Sequence, residues 1–328
     1  MRRFTLLQVA LGIVLVAVLL VAPRILTVVQ TRMLTEIIYF SLFAVSFNLL
    51  FAYAGLLSFG HAAYFGLGAY VTAITLKNFA GMPFFAAILL GALAAAIGGA
   101  VIGFFCVRRK GAYFALLTLA FNQFLWAIAW KWREVTGGDD GIGGVVPKKP
   151  VDLGILTIDF TNVTSKYYLT LVIVLICFAL GWYLIQTPFG NAIKAIKNNE
   201  ERASFLGYNV NRSKLLFFTL SACFAGIAGS LFALFQDFVA PSAISLSMST
   251  EVLFMVFLGG TGSFFGPVLG AAIFVYFTDW ISSLTERWEF ILGLLFIVLV
   301  LYFPQGFGGL VQNRLKSLFA TGKTGKSN

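Results

Sequence analysis

The sequence predicts an all-α integral membrane protein. It has about ten transmembrane or half-spanning helices and one polar cytoplasmic loop that folds into a knob. Three observations predict this. Only 11% of the 328 residues are charged and 59% are apolar, with a mean hydropathy of +0.92, whereas a water-soluble domain carries about twice that charged fraction. Apolar runs long enough to cross a bilayer recur along the whole chain with short polar breaks between them. The bases also sort by side. Arg2 and Arg3, Arg108 to Lys110, the 187–214 loop and the tail with Arg314, Lys316, Lys323 and Lys326 alternate with breaks that hold most of the acids, as the positive-inside rule requires. The 36 Phe and 33 Gly fit the same class, because aromatic bulk meets lipid and glycine lets helices approach closely. The net charge of +10 comes from bases dispersed between spans, so no nucleic-acid partner is expected.

The apolar runs fall at about 4–22, 33–53, 56–76, 83–106, 112–132, 167–186, 215–236, 250–278 and 289–303. The first resembles a signal peptide but lacks a small-residue cleavage site before Pro23 and Arg24, so it reads as a retained span. The run at 250–278 is interrupted by Gly259, Gly260, Gly262, Gly266 and Pro267, which do not continue a helix. It therefore divides into segments at about 250–258 and 264–280. Ten segments place both termini in the cytoplasm within one transmembrane domain, 1–328. Residues 133–166 form a periplasmic turn-rich loop with a short hairpin or helix, and residues 311–328 form a cytoplasmic tail. Cys106, Cys177 and Cys223 lie in or beside apolar runs without metal-like spacing and read as inert thiols.

The 187–214 loop is patterned. Ala192, Ile193, Ala195 and Ile196 recur at helical spacing between Lys194 and Lys197, which predicts a short amphipathic helix. Asn199 can N-cap a second short helix with Glu200 and Glu201 in its first turn, where negative charge complements the dipole. Gly207 stands where a left-handed residue ends a helix, and Asn209 or Asn211 can cap the next. Ala203, Phe205 and Leu206 are expected to face the membrane domain or a partner's groove.

A second dense stretch runs from Gly55 to Tyr70 and holds Ser58, the lone His61 and Tyr64. It fits either a broken helix beside a transport path, with these three residues lining it, or a tight helix interface with His61 satisfied internally. Thr118 and Asn122 share a helix face, with Gln123 beside them. They fit a polar pathway or interhelical glue. Glu251 is expected at a helix N-terminus at the outer surface. Every acid except Glu200 and Glu201 is expected at or beyond the outer edges of the spans, which leaves a proton- or sodium-driven carrier without a midplane carboxylate. The tail string 320–327 fits a relaxed phosphate-loop pattern but lacks the strand and helix that such a loop needs. No catalytic, cofactor or metal constellation stands out, so the energy source is expected on a partner.

Four stretches carry a resemblance: GLLSFGHAAYFGLGAY at 55–70, TGGDDGI at 136–142, FGNAIKAIKNNEERASFLGYNVNRSKLLFFTLSACFAGIAGSLFA at 189–233 and GGTGSFFGPVLGA at 259–271. The chain resembles the inner-membrane permease subunits of branched-chain amino acid ABC transporters, LivM-type. Asn191, Lys194 and Lys197 stand where that family often has arginine. The resemblance implies a type II ABC importer-like fold in the bacterial inner membrane and a non-catalytic role without cofactors. It also implies a homologous LivH-type permease, two cytoplasmic ATPases and a periplasmic binding protein as partners, with leucine, isoleucine or valine as cargo. Urea, short-chain amides and other amino acids remain alternatives, as do a stand-alone channel or carrier and a structural subunit. It further implies ATPase coupling through Gly190, Lys194, Lys197, Asn199, Glu200, Arg202, Ala203, Phe205, Leu206 and Gly207.

Overall fold

A computed structural model describes residues 16–79, 82–146, 151–152, 157–158, 160, 162–285 and 287–302. The first part of the 4–22 run and the 311–328 tail, with its phosphate-loop-like string, lie outside these residues.

The protein is mostly helical. In chain order the elements are α1 (Val16–Ile25), α2 (Val28–Asn48, continued by a π-helical turn Leu49–Tyr53), α3 (Ala62–Asn78), α4 (Phe84–Cys106) and α5 (Ala112–Lys131). After α6 (Arg133–Thr136) come α7 (Val163–Gln186), α8 (Pro188–Asn198), α9 (Glu200–Phe205), α10 (Val210–Gln236), α11 (Leu246–Gly259), α12 (Gly266–Leu284) and α13 (Trp288–Tyr302). Among the described residues six helices are long and apolar enough to cross a membrane: α2 with its π turn, α4, α5, α7, α10 and α12. The helices α3, α11 and α13 are shorter, at 17, 14 and 15 residues.

Four helices start about one turn before the apolar run that announces them, because a polar cap precedes the first apolar residue. Thr27 opens α2 in a capping box with Gln30, Asn162 opens α7, Asn209 opens α10 and Ser245 opens α11. This corrects two expectations. Glu251 sits in the second turn of α11 rather than at its N-terminus. Glu36 and Asp279 lie within α2 and α12, not beyond their edges.

The helix α2 is the axis: 78% of its apolar window is buried, against 28% for α5 and 39% for α4 and α7. Tyr39, Phe43 and Phe47 of α2 are fully enclosed. The helix α10 packs across α2, α3 and α4. Its seam with α3 is as tight as two backbones allow. A Cβ on Gly229 would lie 1.8 Å from the Phe65 carbonyl oxygen, and one on Gly68 would lie 2.1 Å from that of Gly226. Thr72 donates to Ser230 Oγ at 2.8 Å across the same seam. Small residues with hydroxyl bonds between them are what membrane helices use in place of a hydrophobic driving force. The break at 260–265 reverses the chain, and α11 and α12 pack side by side.

Two pairings define the ends of the bundle. At one end β1 (Ile142–Gly143) pairs antiparallel with β4 (Phe238–Val239), just past the C-terminus of α10. Val146 N donates to Asp237 Oδ1 there, at 2.7 Å. A second small antiparallel pair is β2 (Val151–Asp152) with β3 (Thr157–Ile158). At the other end Lys110, between α4 and α5, is ion-paired with Glu200 before the start of α10. The basic 108–110 corner and the 187–214 loop therefore share one end. Cys106, Cys177 and Cys223 are free thiols.

Candidate functional site

The 187–214 loop is a folded knob. Thr187 caps α8, accepting from Gly190 N at 3.2 Å, with Pro188 in the first helical position. Gly190 folds back on α7: a Cβ there would lie 2.5 Å from the Leu184 carbonyl oxygen. Ala192, Ile193 and Ile196 form the inward apolar face. Asn199 Oδ1 accepts from Arg202 N at 2.8 Å and opens α9. Gly207, at φ +86, closes it. Gly207 N donates to Ser204 O at 2.9 Å and Tyr208 N to Ala203 O at 3.2 Å, the paired bonds of a Schellman cap. The cap separates three apolar residues. Ala203 is 2% exposed, whereas Phe205 is 84% and Leu206 73% exposed.

Two lysines of the knob reach back to the ends of spans. Lys194 Nζ donates to Ile185 O at 2.8 Å and lies 5.7 Å from the centre of the Tyr53 ring. Lys197 Nζ donates to Ala52 O at 2.6 Å. Each ammonium sits on a carbonyl near the C-terminal end of a span, where the helix dipole favours positive charge. Arg202 has no such tie among the described contacts and is exposed.

Glu200 holds the knob from its other side. It accepts from Lys110 at 2.8 Å and from Lys214, whose side chain is only 4% exposed. Burial pushes the Glu200 carboxyl up, but the hydrogen bonds from Lys110 and Lys214 together outweigh it and hold the group below its usual range. The hydrogen bond to Glu200 raises Lys110 in turn. A depressed carboxylate contributes stability that is complete above its unfolded value, about pH 4.3, and is lost as pH falls through its lower folded value. A raised lysine contributes below its unfolded value, about pH 10.4, and loses that contribution above it. Limited proteolysis within 199–209 is therefore expected to stay slow from about pH 5 to 10 and to accelerate on the acid side only below about pH 4. Acceleration at pH 6 would contradict this assignment.

The second set of residues lies around a break in the backbone. Residues 55–61 are not helical, so α3 begins at Ala62, about two turns later than its apolar run. The segment presses on α5: a Cβ on Gly60 would lie 2.1 Å from the Thr118 carbonyl oxygen. Ser58, His61, Tyr64, Thr118 and Asn122 are all buried, whereas Gln123 is exposed. Thr118 Oγ1 bonds to Ala115 O at 2.8 Å, and Asn122 Nδ2 to Ile244 O at 2.8 Å. His61 stacks on Phe43 and meets Phe47 and Tyr64 edge-on.

His61 Nε2 lies 2.9 Å from Ser46 Oγ, which also lies 2.6 Å from the Phe43 carbonyl. The single hydroxyl proton goes to the carbonyl, which can only accept. Nε2 therefore carries the ring proton and Nδ1 is a bare acceptor. His61 Nδ1, Ser58 Oγ, Asn48 Oδ1 and Asn122 Oδ1 are buried and have no partner among the described residues. Each such atom costs about 1–3 kcal/mol. Helix packing alone would not select them, and each is able to accept from a donor.

The sequence did not single out Lys214, Lys110 or Ala52. Their partners lie far along the chain, so no local spacing announces them.

The description "Branched-chain amino acid transport system / permease component" belongs to the family model that matches residues 30–301. The chain is 30% identical over 292 residues to the high-affinity branched-chain amino acid transport system permease protein LivM of Salmonella typhimurium. That match covers 82% of this chain and 67% of the relative. It is 31% identical over 290 residues to the LivM protein of Escherichia coli, with the same coverage. It is 24% identical to a probable LivH permease of Methanocaldococcus jannaschii, over 85% of this chain and 91% of that one. No solved structure matches it.

Proposed function

Since the chain belongs to the family of branched-chain amino acid transport permease components, we propose that it is the transmembrane subunit of an ATP-driven importer. In this reading it forms half of the pathway for leucine, isoleucine or valine beside a homologous LivH-type permease. A periplasmic binding protein delivers the cargo, and two cytoplasmic ATPases dock on the knob. Both termini and the knob lie in the cytoplasm, and 133–166 faces the periplasm. The subunit itself catalyses nothing.

One observation carries the coupling part of this reading. The capped, internally tied knob presents Phe205 and Leu206, 84% and 73% exposed, at the basic end of the bundle. Two adjacent large apolar side chains on a rigid corner suit a hydrophobic groove on a partner. Among the ten residues assigned to coupling, Phe205, Leu206 and the exposed Arg202 form the contact. Gly190, Lys194, Asn199, Glu200, Ala203 and Gly207 shape and anchor the knob, and Lys197 ties it to the end of α2. Ser58, His61, Tyr64, Thr118 and Asn122 line or gate the pathway, where the free acceptors on Ser58, His61 and Asn122 suit an ammonium group with three donors.

Nucleotide-loaded ATPases must bind the knob differently in the inward- and outward-open states, or their ATP shifts nothing. The test is co-purification. The double variant F205D/L206D is expected to insert normally but to lose the ATP-binding subunits and substrate uptake. Retention of both would remove the docking assignment.

A further inference from the structure

We propose that Lys197 is the positioning residue through which the knob sets the conformation of residues 55–61, and that this segment is a gate. The inference rests on the importer reading given above, and it begins with the end of α2. Between Leu49 and Tyr53 that helix widens into a π turn, a feature that marks functional irregularities in helices. The ladder then slips: Gly55 N bonds to Phe51 O at 3.2 Å and Leu56 N to Leu50 O at 3.1 Å. The Ala52 carbonyl takes its partner from another element. Lys197 Nζ, on α8, fills that place at 2.6 Å.

The stem of Lys197 makes a second contact. A Cβ on Gly55 would lie 3.1 Å from Lys197 Cγ, and Gly55 stands at φ +71. The side chain thus touches the backbone on both sides of the point where helix gives way to non-helical chain. Beyond Gly55 the segment buries Leu56, Ser58, Gly60 and His61 and half-buries Leu57 and Phe59, and Ser58 Oγ and His61 Nδ1 have no partner among the described residues. At its far end Ala62 N donates to Ser249 Oγ at 3.1 Å, which joins it to α11. A non-helical stretch with unpaired buried acceptors, fixed at its ends to α8 and α11, is an element with room for a second arrangement. Displacement of α8 would pull on the end held by Lys197 while Ser249 holds the other.

The experiment has two arms. In the first, hydrogen exchange is followed on the full chain in lipid nanodiscs. Lys197→Met keeps the stem against Gly55 and removes the donor. Amides within 55–61 are expected to exchange about tenfold faster, with α8 unchanged and Lys197→Arg close to the parent. Unchanged exchange at 55–61, or equal acceleration throughout α8, would overturn the proposal, the latter because the lysine would then merely hold the knob together.

In the second arm, the complex is purified with its native subunits and reconstituted, and uptake of labelled leucine is compared with ATP hydrolysis. K197M is expected to retain its ATP-binding subunits but to lower uptake per ATP about tenfold or more, with K197R restoring most of it. A parental ratio in K197M overturns the gate. If the parent itself retains no ATP-binding subunits, the importer reading falls while the exchange arm still decides the link.

Discussion

Replacing Gly207 with proline is expected to abolish uptake while leaving the chain in the membrane. The glycine stands at φ +86, and proline is held near −65°. The substitution also deletes the N–H that bonds to Ser204 O at 2.9 Å. Together these cost about 3 kcal/mol or more, and the damage is local because a Cβ on Gly207 would meet nothing within 4 Å. The bundle stays folded, α9 unwinds, and Phe205 and Leu206 lose their fixed presentation. Surface labelling of the inserted chain, co-purification of ATP-binding subunits and leucine uptake together measure the outcome. Normal uptake in Gly207→Pro would mean that the shape of the knob is irrelevant to transport.

The second large effect is expected in the bundle, from Gly229→Val. Its first side-chain carbon would lie 1.8 Å from the Phe65 carbonyl oxygen, a backbone atom that cannot rotate away. The helices α3 and α10 must separate along their seam, which breaks the Thr72–Ser230 bond and opens the packing of α4 on the same helices. Overpacking of this kind costs upward of about 3 kcal/mol. That is a large share of the 5–15 kcal/mol that holds a typical domain together. The expected result is chain that aggregates on detergent extraction, or whose thermal transition falls by roughly 5 °C or more. A parental transition would show that the seam is looser than the structure places it.

The two variants separate what the sequence made visible from what it hid. The caps of the knob were visible because capping is local: Asn199, Gly207 and Asn209 each act on backbone within three residues. The break at 259–267 was visible for the same reason. Residues 55–61 were harder to read. Leu56, Leu57 and Phe59 look like part of a span, and what lets that stretch leave the helix is remote: Ser249, 187 residues from Ala62, takes one of its orphan donors. The Lys197 tie spans 145 residues and the Lys214–Glu200 pair 14.

Ala203 and Leu206 illustrate a subtler limit. Three apart on a helix they would share a face. The Schellman turn ends the helix at Phe205 and sends Leu206 outward while Ala203 stays buried, so the three apolar residues divide between the two faces that the sequence left open.

The pairing of β1 with β4 has a consequence for how the protein is made. Val146 and Asp237, which bond at that junction, are 91 residues apart. The loop after α5 therefore leaves the ribosome long before its partner, and two further spans, α7 and α10, must be threaded before the strand can close. Throughout that interval Ile142 and the 146 amide stand open to water. The junction is thus a late fastening, completed only when α10 has reached its full depth, and it reports on correct insertion of the second half of the chain.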